Sequence, residues 1–158
     1  AIARHIGGTV EQFVEMMNNE ARSLGATGTH FISPHGLHNE NHYTTVYDIY
    51  LMLNEALTYP YFVETMQLGN YTISYQRGEE TLTTRLDATD HYLTGEESAP
   101  NGVTVLGGKT GTTSAAGSCL AILSQNRYGE PYISIVMKAL NKLYLYQDMN
   151  TLLAQINS

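Results

Sequence analysis

Val103-Thr-Val-Leu-Gly-Gly-Lys-Thr-Gly-Thr-Thr-Ser114 is the stretch on which the reading of this chain turns. An apolar run passes through Gly107 and Gly108 into Lys109-Thr110-Gly111, and a second apolar run, Cys119-Leu-Ala-Ile-Leu123, follows. The pattern predicts a strand over about Val103 to Thr110 and a neighbour over about Gly117 to Ser124. Lys109, Thr110 and Thr112 place a cation and two hydroxyls together, the donor set that a carboxylate requires. An exposed edge strand also offers backbone N–H groups to a developing oxyanion. Glycine at 111 keeps such an edge free of side-chain bulk. Gly107 and Gly108 fit either close backbone packing or a bulge.

Working outward, Asn126-Arg-Tyr-Gly-Glu-Pro131 is a hairpin connection leading to a third strand over about Tyr132 to Leu140. Tyr144 to Ile156 then closes the chain as an amphipathic helix. Upstream, Tyr71, Ile73 and Tyr75 alternate with polar residues, and Gly78-Glu-Glu80 turns the chain into a return strand over Thr81 to Leu86. Residues 87 to 102 are polar and turn-rich. Nearer the start, Thr9-Val-Glu-Gln12 is a capping box, followed by Val10, Phe13, Val14, Met17, Ala21 and Leu24 at helical spacing and by the stop Gly25. Residues 25 to 43 read as an ordered loop. Thr45-Val-Tyr-Asp48 caps a second helix, and Tyr61 to Leu68 form a third, short one. Helices, then a β-rich block, then a helix give an α+β class with an antiparallel sheet of about three strands, flanking helices and a small β-hairpin. No repeat or linker divides residues 1–158.

The chain has 158 residues and a formal net charge of −7, which argues against a nucleic-acid partner, because phosphate neutralisation needs a basic face. Its single cysteine, Cys119, excludes an intramolecular disulfide and reads as a small core residue. No run approaches the ~20 apolar residues that span a bilayer. Ala1-Ile-Ala-Arg-His-Ile6 reads as the tail of a helix cut in mid-course.

The Lys109-Thr110-Gly111 stretch resembles the third active-site motif of penicillin-binding proteins and serine β-lactamases, which works beside an S-x-x-K and an S-x-N motif. Two further blocks are similar to D-alanyl-D-alanine carboxypeptidases. Phe13-Val-Glu-Met-Met-Asn-Asn-Glu-Ala-Arg-Ser-Leu-Gly25 resembles the helix after that family's S-x-N motif. Thr29-His-Phe-Ile-Ser-Pro-His-Gly-Leu-His-Asn-Glu-Asn-His-Tyr-Thr-Thr-Val-Tyr-Asp48 resembles its Pro-His-Gly-Leu loop and the helix start behind it. The resemblance covers nearly the whole chain and implies part of a transpeptidase-like domain, with residues 1–158 as its C-terminal part. It implies a serine enzyme that removes terminal D-Ala from peptidoglycan stem peptides through an acyl-enzyme, is acylated by β-lactams, needs no cofactor or metal, and works at the outer face of the bacterial cytoplasmic membrane or in the periplasm or cell wall. Carried over by position, Lys109 and the backbone N–H of Thr112 take the catalytic roles. Thr110, Gly111 and Thr113 bind substrate, and the Thr112 hydroxyl joins Thr110 at the substrate carboxylate.

The departures from the family are as informative. No serine has lysine three residues on, and neither partner motif stands before Lys109. Without a nucleophile no acyl-enzyme forms, so this chain alone is expected to be inactive. The family's Asn-x-Asn-x-Leu-Leu segment is replaced by Ala88-Thr-Asp-His-Tyr-Leu93. With the first strands and central helix of the family fold missing, the strand near Tyr132 to Ala139 is expected to keep a free edge. The missing N-terminal half, or a second copy by strand pairing or swapping, is the expected partner. Two other readings are a non-catalytic binding or scaffold protein that kept the fold, and a metal-binding module built on His30, His35, His38 and His42. Asp87, Asp90, Glu96 and Glu97 read as a solvated acidic face. Tyr144, Leu145 and Tyr146 read as helix packing.

Overall fold

Thr9 starts the first long helix because both halves of its capping box close. The Gln12 N–H donates to Thr9 Oγ1 at 3.1 Å and the Thr9 N–H donates to Gln12 Oε1 at 3.2 Å. The computed structural model describes residues 1–157. A short α1 (Ile2–Gly7) leads into α2 (Val10–Ser23), and Gly25, at φ 83°, turns the chain out of it. The ordered loop that follows is tied back to α2 by Asn18, whose side chain donates to Phe31 O at 2.8 Å and accepts from the Phe31 N–H at 2.8 Å. Helix α3 (Val46–Ala56) is capped by Thr45, as the sequence predicts. Helix α4 runs over Pro60–Met66 and so begins at the proline itself, whose fixed φ suits a first helical turn.

Strands β1 (Asn70–Arg77) and β2 (Glu80–Asp87) form a separate antiparallel hairpin, exposed along nearly its whole length. The polar segment 87–102, turn-rich by sequence, contains one turn of helix, α5 (His91–Thr94). The main sheet is antiparallel with order β3-β4-β5, formed by β3 (Thr104–Thr113), β4 (Gly117–Gln125) and β5 (Pro131–Ala139). Strand β3 runs three residues past its expected end, through Gly111 to Thr113, held there by pairing with Ser118 and Gly117. The register of β3 shifts between Val105 and Gly107, which makes a bulge just before the glycine pair.

The two faces of this sheet differ. On one, Leu120 and Ile122 are fully buried beneath α6 (Lys142–Gln155), together with Leu145, Tyr146, Met149 and Leu153. Burying each large aliphatic side chain there contributes roughly 1.5–3 kcal/mol. Alternation along β4 turns Cys119, Ala121 and Leu123 to the other face. Cys119 and Ala121 there remain half-buried, as do Ile135, opposite Ala121, and Ile133, opposite Leu123, on β5. Cys119 therefore lies on the less covered face, not in the core. Leu145 and Tyr146 pack as expected, whereas Tyr144 is exposed. Neither β3 nor β5 has a second strand neighbour among the described residues.

Candidate active site

Strand β3 carries three glycines for different physical reasons. At Gly107 a Cβ would overlap the Met66 carbonyl at the end of α4. At Gly108 it would lie 2.6 Å from Ile122 Cγ2 and 2.7 Å from Asp90 Oδ2. Both alternatives raised by the sequence therefore hold: a bulge precedes the pair, and the pair permits close packing. At Gly111 a Cβ would meet nothing within 4 Å. The strand is clamped at its start and open at its end, where Lys109 to Thr112 lie.

Lys109 is exposed and shares a sheet face with Ala121, its cross-strand partner. Its ammonium donates to Thr110 O at 2.5 Å, on its own strand. Among the described residues it has no carboxylate within ion-pair distance. Thr110 and Thr112 point to the other face by alternation. The Thr110 hydroxyl is hydrogen-bonded to that of Thr89 at 2.5 Å. Thr112 is exposed. Thr113 accepts a hydrogen bond from the Ala116 N–H at 2.9 Å, which builds the β3–β4 turn.

A groove of about 830 Å³ runs beside Lys109 between the half-buried sheet face and the helices. Its walls are mainly apolar, with Ile49, Met52 and Leu53 of α3, Phe62 of α4, and Leu93 and Ala121 opposite. Asp90 also reaches it. The sequence placed Asp90 on a solvated acidic face, and the structure corrects this: Asp90 is only 2 % exposed. Its Oδ1 accepts from the Tyr92 N–H at 3.1 Å, as N-cap of α5, while Oδ2 has no partner among the described residues. Burial pushes the carboxyl above its ordinary range, against the opposing pull of the Tyr92 N–H and His91. Asp87 and Glu96 are exposed, Asp87 paired with Arg85 at 2.8 Å and Glu96 lying 3.5 Å from the His91 ring, whereas Glu97 is half-buried and accepts from Asn150 Nδ2 at 3.1 Å.

The sequence marks Ala88–Leu93 as standing in place of the family's Asn-x-Asn-x-Leu-Leu segment, but not how Thr89–Tyr92 is held against β3 and α6. The His91 N–H donates to Tyr146 Oη at 2.8 Å, and the two rings stack with centroids 4.7 Å apart at 9°. Tyr92 Oη donates to Asn150 at 2.8 Å. Burial beside Glu97 and Asp90 raises the Tyr92 phenol well above its usual value. Asp90 as a possible helix cap is a further local signal for this stretch.

In the histidine loop the ring nitrogens are used locally. Nδ1 of His42 accepts from the Ile32 N–H at 3.3 Å, Nδ1 of His35 accepts from the Leu37 N–H at 3.1 Å, and Nδ1 of His30 lies 2.6 Å from Asn41 O. Burial, then His30 and His35, lower the pKa of His42. Among the described residues no group of three or more His, Cys, Asp or Glu side chains is arranged to hold a metal. No helix among them is long and apolar enough to cross a membrane.

Comparison with known proteins matches this architecture. The D-alanyl-D-alanine carboxypeptidase family matches residues 1–141, and the chain belongs to that family. It is 31% identical over 137 residues to the D-alanyl-D-alanine carboxypeptidase DacA of Haemophilus influenzae, covering 87% of this chain and 32% of the relative. It is 28% identical over 152 residues to the D-alanyl-D-alanine endopeptidase of Escherichia coli, covering 96% and 46%. Among solved structures, the D-alanyl-D-alanine carboxypeptidase DacD from Francisella tularensis superposes with a TM-score of 0.81 at 22% identity, covering 98% of this chain and 46% of that one. The carboxypeptidase from Mycobacterium tuberculosis superposes with a TM-score of 0.76 at 25% identity, covering 94% and 55%. The chain thus spans less than half the length of these two curated relatives.

Proposed function

We propose that this chain is the C-terminal part of a transpeptidase-like domain and supplies the carboxylate-binding wall of a serine D-Ala-D-Ala carboxypeptidase site. The observation that carries this reading is the open end of β3. Lys109 lines the groove there, Thr110 and Thr112 stand on the opposite face of the same strand on either side of Gly111, and the ammonium is paired with no acid among the described residues. Lys109 and the Thr110 and Thr112 hydroxyls hold the carboxylate of a stem peptide ending in D-Ala-D-Ala. The Thr112 backbone N–H forms half of an oxyanion hole. Gly111 leaves room for the peptide, and Thr113 shapes the turn that frames this end of the site. β-Lactams, which carry a carboxylate beside their reactive carbonyl, use the same wall. Substrate of this kind places the enzyme on the outer side of the cytoplasmic membrane, in the periplasm or cell wall.

The nucleophile and the other half of the oxyanion hole come from another part or another chain. The apolar groove, of about 830 Å³, has the volume of about two turns of helix, taking a helix with side chains as about 10 Å across. An apolar helix of the missing N-terminal half fits it. The free edge of β5 also permits pairing with a second copy.

The test is incubation of the chain with a fluorescent penicillin. The reading predicts no covalent label on the chain alone, since no serine here has its lysine base. A labelled serine would overturn it. The rival, a binding or scaffold protein without catalysis, predicts that native mass spectrometry finds no stoichiometric chain bearing S-x-x-K.

A further inference from the structure

Thr89 and Thr110 lie twenty-one residues apart in sequence, and their hydroxyl oxygens are 2.5 Å apart. Each hydroxyl has one proton, so one donates to the other and the recipient keeps its own proton free. If Thr89 donates, Thr110 presents a proton made more acidic by the bond it receives. If Thr110 donates, Thr89 presents it. In both senses the pair keeps one O–H to donate to a ligand.

The platform under Thr89 is fixed. Thr89 is exposed, whereas the next residue, Asp90, is buried against Gly108 of β3. His91 is stacked on Tyr146 and bonded to it, and Tyr92 is bonded to Asn150 of α6. A side chain held this way meets a ligand with little loss of freedom. The charge around it also suits an anion. Lys109 lines the same groove as Thr89, Asp87 is paired with Arg85, and burial favours the uncharged form of Asp90.

We propose that Thr89 is a second hydroxyl of the carboxylate-binding site, paired with Thr110 and specific for peptides that end in a free carboxylate. This rests on the reading of the Lys109 wall given above. The test uses the isotope-labelled chain, with N-acetyl-D-alanyl-D-alanine and its C-terminal amide as probes. In the wild-type chain the acid shifts the amides of Lys109 to Thr112 and of Thr89, and the amide probe does not. Thr89→Val weakens the acid about tenfold, the size expected for one hydrogen bond to a charged group. Thr89→Ser keeps the affinity within about twofold. Scalar couplings report a single Thr110 side-chain rotamer in the wild-type and Ser variants and an averaged one in the Val variant, while the melting temperatures of all three agree. Equal affinity and equal Thr110 couplings in the wild-type and Val chains would overturn the role of Thr89 and leave the Lys109 wall standing. Absence of any shift in the wild-type chain would overturn both.

Discussion

The carboxyl of Asp90 occupies the space in which a side chain at Gly108 would stand, with Oδ2 2.7 Å from the position of such a Cβ. The contact joins the segment after β2 to the strand that ends in Lys109-Thr110-Gly111. It makes Gly108 and Gly111, three residues apart on one strand, respond differently to the same change. Gly108→Ala meets Asp90, the Ile122 side chain and the Ala121 carbonyl, and is expected to cost about 1–3 kcal/mol. Gly111→Ala meets nothing within 4 Å and is expected to change stability by less than about 1 kcal/mol. Urea unfolding of the two variants beside the wild-type chain measures both.

Asp90 also sets a pH dependence. Its folded pKa is raised by burial above the ordinary value of 3.8. The folded chain therefore binds more protons than the unfolded chain between those two values, and stability falls as pH rises through that window. The contribution is fully present below the unfolded pKa and is lost above the folded one. Asp90→Asn keeps the shape and cannot ionise. Thermal melts are expected to show the variant more stable than wild type at pH 7, with the gap shrinking towards pH 4. A gap that is constant with pH would show that Asp90 titrates as it does in the unfolded chain.

Tyr146 links the Thr89–Tyr92 segment to the core. Tyr146→Phe keeps the ring stack on His91 and the packing with Met149, but it leaves the His91 N–H without its acceptor. The loss is expected to be about 1 kcal/mol, the typical value for one partly buried hydrogen bond. Chemical denaturation measures it, and faster amide exchange at His91 locates it.

Thr9→Ala removes one half of the capping box of α2 and is expected to cost about 1 kcal/mol. Thr9→Ser should restore most of it. Amide exchange of the first turn of α2 reports the change locally.

The parts of the fold that show in the sequence are those with a local cause. Helices α2 and α3 are visible because Thr9 and Thr45 cap them and an apolar stripe follows each. Strands β4 and β5 are visible as apolar runs about a loop that Asn126 organises, its Oδ1 accepting from the Tyr128 and Glu130 N–H groups. The end of β3 is hidden because Gly111 to Thr113 has neither apolar alternation nor branched aliphatic residues, and cross-strand pairing alone holds it extended. Helix α5 is hidden because one turn inside a polar stretch has no period to detect. Lys109 and its neighbours could be picked out by residue type, which carries their chemistry. Thr89 could not, since its bond to Thr110 depends on tertiary placement. Asp90 misled because a charged residue among other acids normally stays in water.

The central claim is that the open end of β3 binds the carboxylate of an acyl-D-Ala-D-Ala peptide. The most direct measurement is an amide chemical-shift titration of the wild-type and Lys109→Met chains with N-acetyl-D-alanyl-D-alanine. The account predicts saturable shifts at Lys109 to Thr112 in the wild-type chain and their loss, at unchanged melting temperature, in the variant. Shifts confined to other regions, or equal binding by the two chains, would contradict it.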